Sequence, residues 1–211
     1  MATRLDRSNG YESIADEFAT LRRESGIGVG TIQSWAKQLP RGASVLDLGC
    51  GSGVPIASDL AKLGFFVAGI DASPTLIAEF HRQLPNALWA CEAVEDSAFF
   101  ERKFDGILAI GLIFLLSEDL QRAVITKVGN ALEMDGKFLF TAPYHRCEWV
   151  DLLTGQKSLS LGTEEYALAL KRAGLTLTES YVDEGENHYF SSRKTQLPPR
   201  PNKSLERTRD R

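Results

Sequence analysis

Residues 45–55 read VLDLGCGSGVP, and this stretch decides the fold. Apolar residues lead through Asp47 to Leu48 as a short strand, Gly49, Gly51 and Gly53 alternate through a turn, and Pro55 stands where a helix starts without losing a needed donor. Glycine permits positive φ, and the missing side chains let a ligand lie against the backbone and face a helix N-terminus. Asp71 closes a second apolar run, FFVAGI, 18 residues after Gly53. A carboxylate there can accept hydrogen bonds from both hydroxyls of a ribose.

Outward from this loop, short apolar runs alternate with helical patterns, the signature of βαβ units feeding a mainly parallel sheet. Ile56, Leu60 and Leu63 make one helix face, ended by Gly64; Ser73 caps a second helix, with Pro74 at its first position and Leu76, Ile77, Phe80 and Leu84 as its stripe. ALWAC and FDGILAI are the third and fourth strands, and the apolar run through residue 116 implies burial on both faces. Ser117 caps a helix whose inner face is Leu120, Val124, Ile125 and Val128, and Asp135 and Gly136 turn into strand KFLFTA. A last helix is predicted over 163–173, then LTLTESYV and HYFSSRK form a hairpin about the turn DEGEN. Ahead of the sheet, Ile14, Phe18, Ile32 and Trp35 mark covering helices over residues 1–40. The main domain spans 41–193, and 194–211 reads as a disordered, basic, proline-containing tail.

The 211 residues, 43% hydrophobic and 25% charged, suffice for one globular core without disulfide or metal staples. Cys50, Cys91 and Cys147 are odd in number and lack CxxC spacing, which predicts a reducing, cytoplasmic setting. The first ten residues lack an apolar secretory h-region, and the longest apolar run is too short to cross a bilayer. Residues 193–211 carry seven basic and two acidic side chains, leaving 17 basic against 26 acidic in the rest. That acidic body repels nucleic acid and favours a small-molecule partner.

The loop alone admits NAD, FAD or S-adenosylmethionine. A dinucleotide fingerprint reads GxGxxG, but Val54 stands where the last glycine belongs. Asp47, two positions before the loop, would repel pyrophosphate and attract a cationic amino group.

DLGCGSG with Asp71 resembles the class I S-adenosylmethionine-dependent methyltransferases, and the similarity runs over residues 42–143, through EAVEDSAF, FDGILAIGLIFLL and ALEMDGKFLFTAP. The resemblance is closest to the small-molecule branch with ubiquinone-type O-methyltransferases. It implies a Rossmann-like, seven-stranded, mostly parallel sheet with an antiparallel last strand and helices on both faces. It also implies methyl transfer from S-adenosylmethionine to a small-molecule acceptor; a non-catalytic S-adenosylmethionine-binding module and an NAD-dependent oxidoreductase are the alternatives.

Under that resemblance Asp47 approaches the methionine amino group, and the backbone of Gly49, Cys50, Gly51 and Gly53 packs under methionine and ribose. Asp71 holds the ribose hydroxyls, Ala72 and the Val94 backbone lie beside adenine, and Glu92 or Glu95 contacts the adenine amino group. Ile110 touches the methionine portion. Tyr11, with Arg22 or Arg23, matches an N-terminal pair that reaches the cofactor carboxylate; Arg23 is the one assigned to the site. Arginine's fork suits a carboxylate.

A sulfonium methyl needs little beyond alignment. Where a general base assists, the candidates are Tyr144, His145 and Glu148 after the fifth strand and His188 in the hairpin, against a reading of each as a surface or packing residue. His81, His145 and His188 have no metal-ligand spacing, and Cys50 reads as a small filler in the loop.

Overall fold

The computed structural model describes residues 6–195. Helices α1 (Ala15–Glu24) and α2 (Val29–Ala36) precede the sheet. Then β1 (Ser44–Leu48), α3 (Ile56–Lys62), β2 (Phe66–Asp71), α4 (Pro74–Gln83) and β3 (Leu88–Cys91) alternate. They are followed by β4 (Phe104–Ala109), α5 (Glu118–Ala131), β5 (Leu132–Thr141), β6 (Cys147–Val150) and β7 (Lys157–Ser160). The last elements are α6 (Thr163–Arg172), β8 (Leu175–Val182) and β9 (His188–Lys194). β9 runs through Lys194, and residues 196–211, expected to form a tail, lie outside the described residues.

Seven strands form one sheet in the order β3-β2-β1-β4-β5-β9-β8. β1 to β5 pair in parallel, and β9 inserts antiparallel between β5 and β8. The order reverses at β1, where the neighbours are β2 and β4, so their carboxyl ends open a crevice at that edge.

Strand periodicity sorts the core into two layers. Val45, Leu108, Leu139 and Tyr189 pack with Trp35, Leu60 and Phe80 from α2, α3 and α4. Their neighbours Leu46, Ile107, Phe138, Phe140 and Phe190 pack on the other face with Val124, Ile125 and Tyr166 from α5 and α6. Each such buried side chain contributes about 1.5–3 kcal/mol of transfer free energy, which is what holds helices to both faces.

Local signals act where expected at α4: the Ser73 hydroxyl accepts the Leu76 N–H at 3.1 Å, with Pro74 at the first position. At α5, Ser117 holds the cap position but its hydroxyl makes no cap bond. The inner face also shifts there, because Leu120 is half-buried and Gln121 is fully buried. The Gln121 amide donates to the carbonyls of Leu116 and Leu159 and accepts the Tyr166 hydroxyl at 2.7 Å, so a polar group is satisfied inside the core.

The fourth strand stops at Ala109, and the rest of the apolar run bends through Gly111, at φ 74°, into a 3-10 turn over Ile113–Leu115. β6 and β7 form a separate two-stranded antiparallel ribbon that periodicity did not reveal. Its Trp149 ring lies 5.3 Å from Phe114 on that turn.

Candidate functional site

A cavity of about 260 Å³ opens at the carboxyl ends of β1, β2, β4 and β5 and the amino end of β9, under residues from the N-terminal segment. The glycine loop forms its floor. Gly49, Gly51 and Gly53 have φ of 68°, 54° and 78°, left-handed values that other residues adopt only with strain. A Cβ on Gly53 would stand 2.7 Å from the Phe80 ring, and one on Gly69 of β2 would stand 2.5 Å from it. Phe80 of α4 therefore packs directly beneath the loop, and Gly69 is a requirement that the motif did not show.

The loop is tied to β2 by its own amides. Gly49 N–H and Cys50 N–H donate to the Ile70 carbonyl at 2.8 and 3.1 Å, Gly53 N–H donates to Cys50, and Gly51 N–H donates to Asp71 Oδ2 at 2.8 Å. A pyrophosphate cradle offers free N–H groups to its anion. Here four of them are already engaged, which disfavours a dinucleotide on this loop.

Asp71 also accepts the Ser73 N–H at Oδ1, 2.8 Å. Burial pushes its carboxyl up, and these amide hydrogen bonds oppose that. Each carboxylate oxygen retains a lone pair, which suits two adjacent hydroxyls. Asp47, at the end of β1, is 2% exposed and lines the cavity. Burial and the Asp71 charge push it to about 7, against the pull of Arg22. No hydrogen bond reaches its side chain among the described residues, so a buried carboxyl faces the cavity ready for a cationic group.

Cys50 sits against Gly69, and burial raises its thiol well above the usual range, consistent with a filler. Ala72, Glu92, Val94, Glu95 and Ile110 all line the cavity. Glu95 pairs with Arg7 at 2.8 Å, while Glu92 has no ion pair among the described residues. Lys127 donates to the carbonyls of Val94 and Glu95, fixing that segment. Tyr11 lines the cavity too; its hydroxyl donates to Asp151 at 3.5 Å, and burial pushes it to about 12.

Arg23 does not line the cavity: it is half exposed and reaches Glu79 at 3.5 Å. Arg22 takes that place, because consecutive helical residues point about 100° apart and α1 turns Arg22 inward. The four base candidates also lie outside the lining residues. Tyr144 is 49% exposed and packs its ring on His145 and His188, His188 bonds Ser180, and Glu148 pairs with Lys157 on the ribbon. Alternation along β9 explains His188: its neighbour Tyr189 faces the cavity, so His188 faces away. Period two was the signal that could have found Tyr189. Phe18, Leu112, Thr141 and Asn187 are also among the lining residues; of these the helical spacing marked only Phe18, as part of a covering helix.

The family model for a methyltransferase domain matches residues 45–136. An uncharacterized methyltransferase of Synechocystis sp. is 25% identical over 153 residues, 68% of this chain and 72% of that protein. The crystal structure of a TehB-like SAM-dependent methyltransferase from Corynebacterium glutamicum superimposes with a TM-score of 0.68 at 23% identity, covering 87% of this chain and 99% of that one. Magnesium protoporphyrin IX methyltransferase from Synechocystis, solved with bound SAM, gives 0.70 at 13% identity over 92% and 100%.

Proposed function

We infer that this chain, a class I S-adenosylmethionine-dependent methyltransferase, moves a methyl group to a small-molecule acceptor and releases S-adenosylhomocysteine. When bound, the cofactor supplies an electrophilic methyl on a sulfonium sulfur. The chain's own residues bind and orient. Asp47 takes the amino group, Arg22 and Tyr11 the carboxylate, Asp71 the two ribose hydroxyls, and Glu92 with the backbone at Val94 the adenine. Ile110 and Ala72 supply apolar contact, and the loop of Gly49, Cys50, Gly51 and Gly53 lies beneath.

One observation carries this reading: a buried carboxyl, Asp47, and a half-buried one, Asp71, flank a loop whose amides are tied to its own sheet, an arrangement suited to a cationic nucleoside. The net charge of -4 supports a small molecule over a nucleic acid as partner. The odd cysteine count supports a cytoplasmic setting. No helix among the described residues is long and apolar enough to cross a membrane.

Calorimetry tests it. S-adenosylhomocysteine binds, NAD does not, and Asp71→Ala weakens the S-adenosylhomocysteine complex by about 1–3 kcal/mol through lost charge-assisted hydrogen bonds. Equal affinity for both cofactors, or an Asp71→Ala variant that binds like the parent, overturns the reading.

A further inference from the structure

The acceptor side of the cavity has a hydrogen-bonding polarity of its own. It begins at the end of β4, where Gly111 N–H donates to Thr141 Oγ at 2.8 Å. Thr141 is directly opposite Tyr189 in the β5–β9 register. Ile110, Gly111, Thr141, Asn187 and Tyr189 thus form one continuous wall beside the position read above as the methionine contact.

Asp183, in the turn between β8 and β9, organises this wall. Tyr189 donates its hydroxyl to Asp183 Oδ2 at 2.9 Å. Asn187 donates its side-chain amide to both Asp183 oxygens at 3.1 Å and its backbone N–H at 2.9 Å. Gly185 N–H adds a further bond. Gly28 at the start of α2 is held against the same group: its N–H donates to Glu184 at 2.9 Å, and a Cβ there would stand 2.4 Å from the Tyr189 hydroxyl.

The consequence is chemical. With its hydrogen given to Asp183, Tyr189 keeps oxygen lone pairs and an electron-rich ring, while Asn187, one N–H of which is shared between the two Asp183 oxygens, keeps its carbonyl oxygen and its second N–H. A wall of lone pairs and π density, backed by a carboxylate, accepts N–H groups and favours positive charge. The three histidines have places elsewhere, so an acceptor that reacts without prior loss of a proton suits this wall best.

We propose that the acceptor is a neutral amine, with Asn187 and Tyr189 receiving its N–H groups and Asp183 acting as the positioning residue behind them. The proposal rests on the methyltransferase reading above. The nitrogen lone pair forms the new N–C bond as the methyl–sulfur bond breaks, and that electron pair stays on sulfur as a neutral thioether. Nitrogen carries the positive charge, facing Tyr189 and Asn187, until water takes its proton after release. Arg22, whose charge the cofactor carboxylate answers, and Asp47, Asp183 and Glu184 are charged groups around this wall.

The test uses the full chain with S-adenosylmethionine and shape-matched benzyl, phenethyl and cyclohexyl amines, alcohols and thiols, with methylated product read by mass spectrometry. Amines are methylated in preference to their alcohol and thiol partners, and kcat/KM rises with pH up to the amine's own pKa. Tyr189→Phe and Asn187→Ala each lower kcat/KM roughly tenfold or more, while S-adenosylhomocysteine affinity stays within about twofold. Asp183→Asn lowers kcat more than it raises KM. Preference for an alcohol or thiol, no methylation of any probe by a protein that binds S-adenosylhomocysteine, or variants that turn over like the parent overturns the amine proposal. Failure to bind S-adenosylhomocysteine overturns the methyltransferase reading instead.

Discussion

On the β1–β2–β3 side of the cavity, the bond that shapes the site joins residues 20 apart, Gly51 to Asp71, and the floor is backbone. On the β4–β5–β9 side, the joining residues are 30 apart at Gly111 and Thr141 and 156 at Gly28 and Glu184. On the first side the loop itself is a short motif closed onto β2. The second is assembled from distant segments that meet only when the chain has folded, and its wall is side chain. A backbone cradle for an invariant ligand tolerates little change, whereas a side-chain wall can be rebuilt for another acceptor without disturbing the loop.

The largest expected effect tests that rigidity. Gly53→Ala combines a left-handed φ with a Cβ 2.7 Å from Phe80. Backbone strain and overpacking together cost about 2–5 kcal/mol in denaturant unfolding, and S-adenosylhomocysteine binding is lost. Gly111→Ala is the matched change on the acceptor side: its φ is 74° but nothing lies within 4 Å of the new Cβ. It costs about 1–2 kcal/mol. Equal losses for the two erase the contrast.

The two sides also titrate with opposite sign. Asp47 is raised from 3.8 to about 7, by burial first and the Asp71 charge second, so the folded chain holds a proton that the unfolded chain releases. Stability of the ligand-free protein therefore falls as pH rises from about 4 to 7. Affinity for S-adenosylhomocysteine rises over the same window, since its cationic amino group favours ionised Asp47. Asp47→Asn flattens both slopes in melts and calorimetry between pH 5 and 8. At Asp183, burial raises the carboxyl but hydrogen bonds from Asn187 and Tyr189 outweigh it, and the group lies below its ordinary value. Its contribution is present above the unfolded value of 3.8 and disappears only in acid.

The smallest effect separates adjacent residues on one helix. Arg22→Ala weakens S-adenosylhomocysteine binding about tenfold, as expected for a charge-assisted hydrogen bond. Arg23→Ala changes it less than twofold, because its exposed pair with Glu79 contributes at most about 1 kcal/mol and lies outside the cavity. Calorimetry on the two variants decides it, and a reversed ranking would restore Arg23 to the site.

Much of the fold was legible because its signals are local. Ser73 and Pro74 mark the start of α4, DEGEN marks the β8–β9 turn, and two-residue alternation sorts Val45 from Leu46. The β6–β7 ribbon was hidden because residues 147–150 and 157–160 are only four each and the buried ones are Ser158 and Ser160, polar residues that no apolar pattern marks. Gln121 was absent from the predicted inner face of α5, since a buried amide is recognisable only once its carbonyl partners are known.

The amino-acid sequence by itself determined the loop, its two carboxylates and the βα alternation, because positive φ, capping and periodicity are properties of a few neighbouring residues. Only the tertiary structure decided which arginine faces the cavity, that His188 turns away while Tyr189 turns in, and that Asp183 accepts hydrogen bonds from Asn187 and Tyr189. Those outcomes depend on helix rotation and strand register, which long-range packing sets and no short stretch of chain encodes.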